Sequence, residues 1–165
     1  MDWAVFTVQW LHILLAILWF GNSLSLAAVT IPALNRLPLV RQQEIGAQLG
    51  ERGLRVFDIV APAVIILGIL RGTVFGSIRD ANALLGTAYG LTFLVALVVA
   101  IATFLWGRYV LVPAARALAT APVNADGTPT PELDAALERA KRLTVLELIG
   151  FLVVFTCMIL MRFGL

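Results

Sequence analysis

The sequence predicts an all-α integral membrane protein, a bundle of four transmembrane helices with both termini outside the cell. Of its 165 residues, 61% are hydrophobic and the mean hydropathy is +0.96, whereas soluble domains are roughly 45–50% apolar. Four apolar segments are long enough to cross a hydrocarbon core of ~30 Å at 1.5 Å per residue. Nine of the 12 Lys and Arg residues lie on the side of the first and third loops, so the positive-inside rule places those loops in the cytoplasm.

The four segments are expected to form one domain, in a lipid bilayer, with no alternating strand pattern of a barrel. The predicted helices cover residues 4–34, 56–78, 84–112 and 131–163, with the membrane part of the last helix from residue 143. Residues 43–55 are expected to form a separate amphipathic helix on the cytoplasmic surface, and Pro62 to kink the second helix. Thr130-Pro131-Glu132 predicts an N-cap, a proline at the first helical position and an early acid for the last helix.

The only histidine of the chain, His12, lies in the outer-leaflet part of the first apolar segment. Polar groups are costly in hydrocarbon and usually functional there, and imidazole is the commonest metal ligand and the usual axial ligand of haem iron. Gln9, Ala16, Trp19 and Ser23 share its helix face by spacing. Ala16 would leave room for a planar ligand, and Trp19 would form its wall. The alternatives are a neutral histidine hydrogen-bonded between helices, or proton transfer.

The second helix carries glycines at a spacing of four residues, Gly68, Gly72 and Gly76, which lets a helix or a flat ligand approach closely. Arg71 lies beside them near the outer end of the helix. A guanidinium matches a carboxylate in charge and shape, so Arg71 is a candidate to bind a haem propionate over the glycine face. The alternatives are helix packing for the glycines and an Arg71 side chain that extends to the lipid headgroups.

Soft donors lie near the outer end of the last helix: Cys157, Met158 and Met161. Together with His12 they would bind Cu(I), although such residues in apolar helices usually serve packing.

Charged residues also lie at the inner ends of the helices. Asp58, Arg108 and Glu147 are expected to form ion pairs there, with proton entry as the alternative. The remaining basic residues follow the membrane topology, and no nucleic-acid partner is expected.

Leu11-His12 followed by Trp19-Phe20-Gly21 resembles the opening of the copper-resistance D (CopD) family, and is similar to the first helix of the HemJ-type protoporphyrinogen oxidases. Residues 68–72 and 88–90 also resemble segments of copper-resistance D helices. The resemblance implies a helical membrane bundle. In HemJ-type proteins it implies b-type haem held by a first-helix histidine, matched here by His12, and in the copper-resistance relatives it implies copper handling.

The chain departs from these families because it has no second histidine, and its third helix lacks the lysine of the HemJ-type pattern. One chain therefore cannot supply two histidine ligands. The sixth position of the iron would be open, or would take a side chain such as Met158 or Met161. A two-fold homodimer would instead bring a second His12, because C₂ symmetry duplicates a single ligand.

The sequence thus predicts a haem b protein ligated at His12, with Arg71, Trp19, Ala16, Gly68 and Gly72 around the cofactor. The expected roles are electron transfer with an unidentified redox partner, or redox or gas sensing, in a homodimer. Without a basic n-region or transit peptide, the plasma membrane of a prokaryote is the expected location. The alternatives are a copper protein, a HemJ-like porphyrinogen oxidase and a structural module, and enzyme status stays open.

Overall fold

Four long helices build the protein, as a computed structural model that describes residues 2–165 shows. Each of them is long and apolar enough to cross a membrane, which confirms the all-α four-helix membrane bundle. The helices are α1 Trp3–Leu34, α2 Leu39–Gly72, α4 Ala88–Thr120 and α5 Pro131–Arg162, with the short α3 Ala81–Leu85 before α4.

Two of the long helices contain a π-helical turn close to their inner ends. These turns are Leu26–Thr30 in α1 and Gly107–Leu111 in α4. Each is followed two residues later by a proline, Pro32 or Pro113. Proline has no N–H to donate and its ring crowds the preceding turn, so the wider turn lets the helix continue where it would otherwise break.

The second membrane helix differs from its predicted bounds at both ends. Residues 43–55 are the first part of α2 itself and not a separate surface helix, because α2 runs without a break from Leu39. At 1.5 Å per residue its 34 residues span about 51 Å, more than the ~30 Å core, so α2 extends beyond the membrane. Pro62 lies inside α2 without ending it, and the helix stops at Gly72, six residues before the predicted end.

The third membrane helix begins later and ends later than the sequence predicts. Asp80 caps the separate helix α3, and α4 starts only at Ala88, where the Thr87 hydroxyl accepts a hydrogen bond of 3.0 Å from the Gly90 N–H. The π-helical turn carries α4 past Pro113 to its end at residue 120. The last helix begins at Pro131, with the Thr130 side chain as its N-cap.

The buried core joins α1, α2 and α5 in the middle of the bundle. The rings of Trp19 and Phe151 meet edge to face, with centroids 5.0 Å apart, and Val60, Ala61 and Val64 of α2 complete this cluster. Edge-to-face aromatic pairs add about 0.5–1.5 kcal/mol beyond the area they bury. Helix α1 packs mainly on α2, and α5 mainly on α4. The outer part of α1 therefore faces α2, which positions the site.

Candidate functional site

The imidazole of His12 lies against the backbone of α2. A Cβ atom at residue 68 would lie 3.1 Å from Cε1 of His12, so the absence of a side chain at Gly68 makes room for the ring. Nδ1 of His12 lies 3.0 Å from the carbonyl oxygen of Val64, one helical turn earlier. The glycine predicted to receive a planar ligand thus receives the histidine itself.

The bond to Val64 determines which ring nitrogen of His12 carries hydrogen. A carbonyl oxygen can only accept, so Nδ1 donates. In the neutral imidazole this leaves Nε2 with its lone pair. Histidines that bind metals usually donate their other ring N–H to a carbonyl or carboxylate in this way, which orients the ring and raises its basicity.

A second polar contact joins the same two helices one turn farther out. Nε of Arg71 donates to Oε1 of Gln9 at 2.7 Å, and Nη1 donates to the carbonyl oxygen of Phe75 at 3.1 Å. Arg71 is half-buried and lines an open cleft of about 290 Å³ together with Asp2, Val5, Phe6 and Gln9. The guanidinium is therefore held at the α1–α2 interface and does not extend freely to the headgroups, and its Nη2 group makes no hydrogen bond within residues 2–165.

Gly72 does not lie with Gly68 on the His12 side. A Cβ atom at residue 72 would overlap the buried ring of Phe93 in α4. Gly76 lies beyond the end of α2. The predicted glycine face is therefore divided, because α2 lies between α1 and α4, and Gly68 receives a side chain from α1 whereas Gly72 receives one from α4.

Trp19 and Ala16 belong to the packed core below His12. Trp19 is only 7% exposed and its ring contacts Phe151, while Ala16 packs against the same cluster. The Trp19 indole is thus covered by protein side chains, and it is not a free wall beside the imidazole.

The soft donors of α5 differ in their exposure. Cys157 is buried, whereas Met158 and Met161 are half-buried. Within residues 2–165, no three His, Cys, Asp or Glu side chains gather into a group that could hold a metal ion.

At the inner ends of the helices, one predicted ion pair forms and the third charged residue stands apart. Nε of Arg108 lies 3.2 Å from Oδ1 of Asp58. Glu147 forms no ion pair within residues 2–165; it faces Ser23 of α1, and its Oε1 would lie 3.0 Å from a Cβ atom at residue 107.

Two pairings in the site are not visible in the sequence, for different reasons. The Val64 carbonyl is a backbone group, which every residue type carries, so no signal in the sequence marks it. Gln9 was placed on the His12 face by its spacing, yet its bond to Arg71 depends on how α1 and α2 align. Opposite charges mark an ion pair in a sequence, whereas an amide paired with an arginine leaves no such mark.

The fold and these contacts define a multi-pass α-helical membrane protein with one half-buried histidine held between its first two membrane helices. Comparisons of the chain with protein-family models, curated proteins and solved structures find no match in any of the three. The function is therefore argued from the site.

Proposed function

We propose that this protein binds b-type haem in the plasma membrane of a prokaryote, with His12 as an iron ligand and Arg71 as the partner of a propionate. Its role is electron transfer within the membrane or the sensing of redox state or a small gas. The observation that carries the proposal is the hydrogen bond of 3.0 Å from Nδ1 of His12 to the Val64 carbonyl. It presents Nε2, the nitrogen that an iron requires, and it orients the ring.

Arg71 supports the same ligand through its charge. Two of its nitrogens are engaged, by Gln9 and Phe75, so the side chain is already ordered before an anion arrives. An ordered guanidinium loses less conformational freedom on binding a carboxylate than a free one. Arg71 and His12 lie on the same α1–α2 interface. Haem needs both groups, an imidazole for its iron and a cation for its propionate.

The space around these groups explains why we propose a homodimer. The cleft at Arg71 has about 290 Å³, is open and is not lined by His12, whereas ligand pockets measure about 300–1,000 Å³. One chain thus supplies the ligating side chains and one side of the haem pocket. A second copy related by a two-fold axis would supply the opposite wall and a second His12.

The chain's own residues would bind and tune the cofactor. Haem supplies one-electron redox chemistry when bound, and its potential depends on the axial ligand and the surrounding dielectric. Val64 would hold the imidazole in one tautomer and raise the basicity of Nε2, which favours the oxidised metal. Arg71 would neutralise a propionate at the outer boundary, and the apolar outer half of α1 would keep water away from the imidazole.

The test is an absorption spectrum of the purified protein, with and without added haemin, oxidised and then reduced with dithionite. We expect a Soret band and reduced α and β bands in the wild type, and their loss in His12→Gly. Added imidazole should restore the bands in His12→Gly, because the free base can enter the space that the side chain leaves. A colourless wild type after haemin addition would refute haem binding.

The arginine is tested with a matched pair of variants. Arg71→Gln should weaken haem retention, whereas Arg79→Gln should not, because Arg79 bonds only the backbone of its own turn. Equal retention in both variants would remove Arg71 from the site. The mass of the haem-loaded protein in detergent should correspond to two chains, and a haem-loaded monomer would contradict the homodimer.

A further inference from the structure

A single carboxyl group lies at the meeting point of three membrane helices, well away from His12. Glu147 of α5 faces Ser23 on α1, a residue that is buried, with 9% exposure. On α4, a Cβ atom at residue 107 would lie 3.0 Å from Oε1 of Glu147, so the carboxyl group occupies the space that Gly107 leaves. Its position is thus determined by packing from both sides.

The charged groups near Glu147 do not neutralise it. Helix α1 contributes Ser23 but no charged side chain, and its one titratable group, His12, lies 11 residues away. Arg108 of α4 and Asp58 of α2 pair with each other. Within residues 2–165, no Lys, Arg or His nitrogen lies within 4.0 Å of the Glu147 carboxyl oxygens, and the basic residues before it on α5 lie toward the helix start.

An unpaired carboxylate at this depth is costly. Glu147 lies four residues, or about 6 Å, inside the predicted membrane boundary at Leu143. A charged group in low-dielectric surroundings without a partner is strongly disfavoured, and the simplest compensation is a bound proton. Ser23 suits both forms of the acid, because a hydroxyl can accept from a carboxylic acid and donate to a carboxylate.

A cleft lies beside the carboxyl group, between two of the membrane helices. A cleft of about 360 Å³ between α4 and α5 is lined by Glu147, Thr103 and Trp106, among others. The other lining residues are aliphatic or glycine, so these three carry the only polar side-chain atoms that line the cleft. It lies in the half of the bundle that the arginine pattern assigns to the cytoplasm.

The backbone changes its hydrogen-bonding pattern at the same place. The π-helical turn of α4 begins at Gly107, the residue beside the Glu147 carboxyl group, and the π-helical turn of α1 begins at Leu26, three residues after Ser23. Such turns are frequent at functional sites. The carboxyl group thus connects the two helices next to their irregular turns.

We infer that Glu147 is a proton-binding site of this protein, at the junction of α1, α4 and α5, which takes up a proton because no cation neutralises its carboxylate. The site does not depend on haem, because none of its residues contacts the His12 site. The Ser23 hydroxyl would accept from the protonated acid and donate to the carboxylate.

The test is infrared difference spectroscopy of the protein in lipid bilayers as the pH is changed. We expect a carbonyl-stretch band of a protonated carboxylic acid that is lost in Glu147→Gln and shifted in Ser23→Ala. The matched control is Glu138→Gln on the same helix, which is exposed and paired with Lys141 and should leave the band unchanged. Should Glu147→Gln fail to fold, Glu147→Asp should show a displaced band.

Two results would overturn the inference. One is an unchanged spectrum in Glu147→Gln or, if that variant does not fold, in Glu147→Asp, since the protonated acid would then be elsewhere. The other is a Glu147 band that follows the sodium concentration at constant pH, since the carboxylate would then hold a metal cation.

Discussion

Gly72 offers the sharpest test of how the helices pack, because an aromatic ring from another helix occupies the space where a side chain at residue 72 would lie. A Cβ atom at residue 72 would overlap the ring of Phe93, which is itself only 9% exposed. The ring cannot turn away into open space without moving α4 from α2. Gly72→Ala is therefore an overpacking substitution at the α2–α4 contact.

The expected magnitude follows from comparing three glycines. Overpacking costs about 1–3 kcal/mol, whereas alanine in place of glycine otherwise favours a helix by up to about 1 kcal/mol. Nothing lies within 4 Å of a Cβ atom at Gly21, so only the favourable effect applies there. Both residues are helical, so that gain cancels in the comparison, and Gly72→Ala should be about 1–3 kcal/mol less stable than Gly21→Ala. Gly68→Ala should fall between them, because His12 must shift by a few tenths of an ångström.

The assay is reversible unfolding of the purified protein in mixed micelles of increasing SDS fraction, followed by tryptophan fluorescence and circular dichroism. The three alanine variants and the wild type are measured under the same conditions. Equal midpoints for Gly72→Ala and Gly21→Ala would refute the reasoning, because the α2–α4 contact would then not depend on the absence of a side chain.

Three further outcomes are expected from the same unfolding assay. Trp19→Ala should lower the free energy of unfolding by about 3–5 kcal/mol, because it removes a ring from the buried core. Trp3 is 70% exposed, so Trp3→Ala should change that free energy by no more than about 0.5 kcal/mol. Similar losses in the two variants would contradict the core assignment. A double-mutant cycle of Asp58→Ala and Arg108→Ala should give a coupling of about 1 kcal/mol or less, because both side chains are more than a third exposed, and a coupling of several kcal/mol would contradict this. The side-chain amide of Gln43 donates to two backbone carbonyls near the end of α4. Gln43→Ala should therefore lower the free energy of unfolding by about 1 kcal/mol and speed hydrogen exchange of the backbone amides there. Unchanged exchange would show that these bonds do not stabilise the helix end.

The sequence by itself determined the membrane class and the number of spanning helices. Only a helix satisfies its backbone hydrogen bonds within one segment in hydrocarbon, so apolar length alone predicts a helix there. It also placed His12, Gln9 and Arg71 at nearby depths, because rise per residue converts position along a helix into depth. The Asp58–Arg108 ion pair followed from the same argument and is confirmed.

The helix bounds were less predictable. The ends of α2 and α4 depend on backbone bonds, such as the N-cap at Thr87, and on how a turn adapts to a proline. Hydropathy shows neither the caps nor the response to a proline. It also misses helix outside the membrane, since the first half of α2 is polar and yet helical. Its 34 residues continue past the apolar segment, since a helix needs no apolar side chains where it leaves the membrane.

Which neighbour each face meets was decided only by the tertiary structure. Gly68 and Gly72 look equivalent in the sequence, but one receives His12 from α1 and the other Phe93 from α4. The sequence places Asp58, Arg108 and Glu147 at similar depths, but Arg108 pairs with Asp58, whereas the Glu147 carboxyl group lies beside Gly107. The physical reason is that spacing along a helix fixes depth and face, whereas the identity of a partner depends on how helices distant in the chain rotate and align against one another.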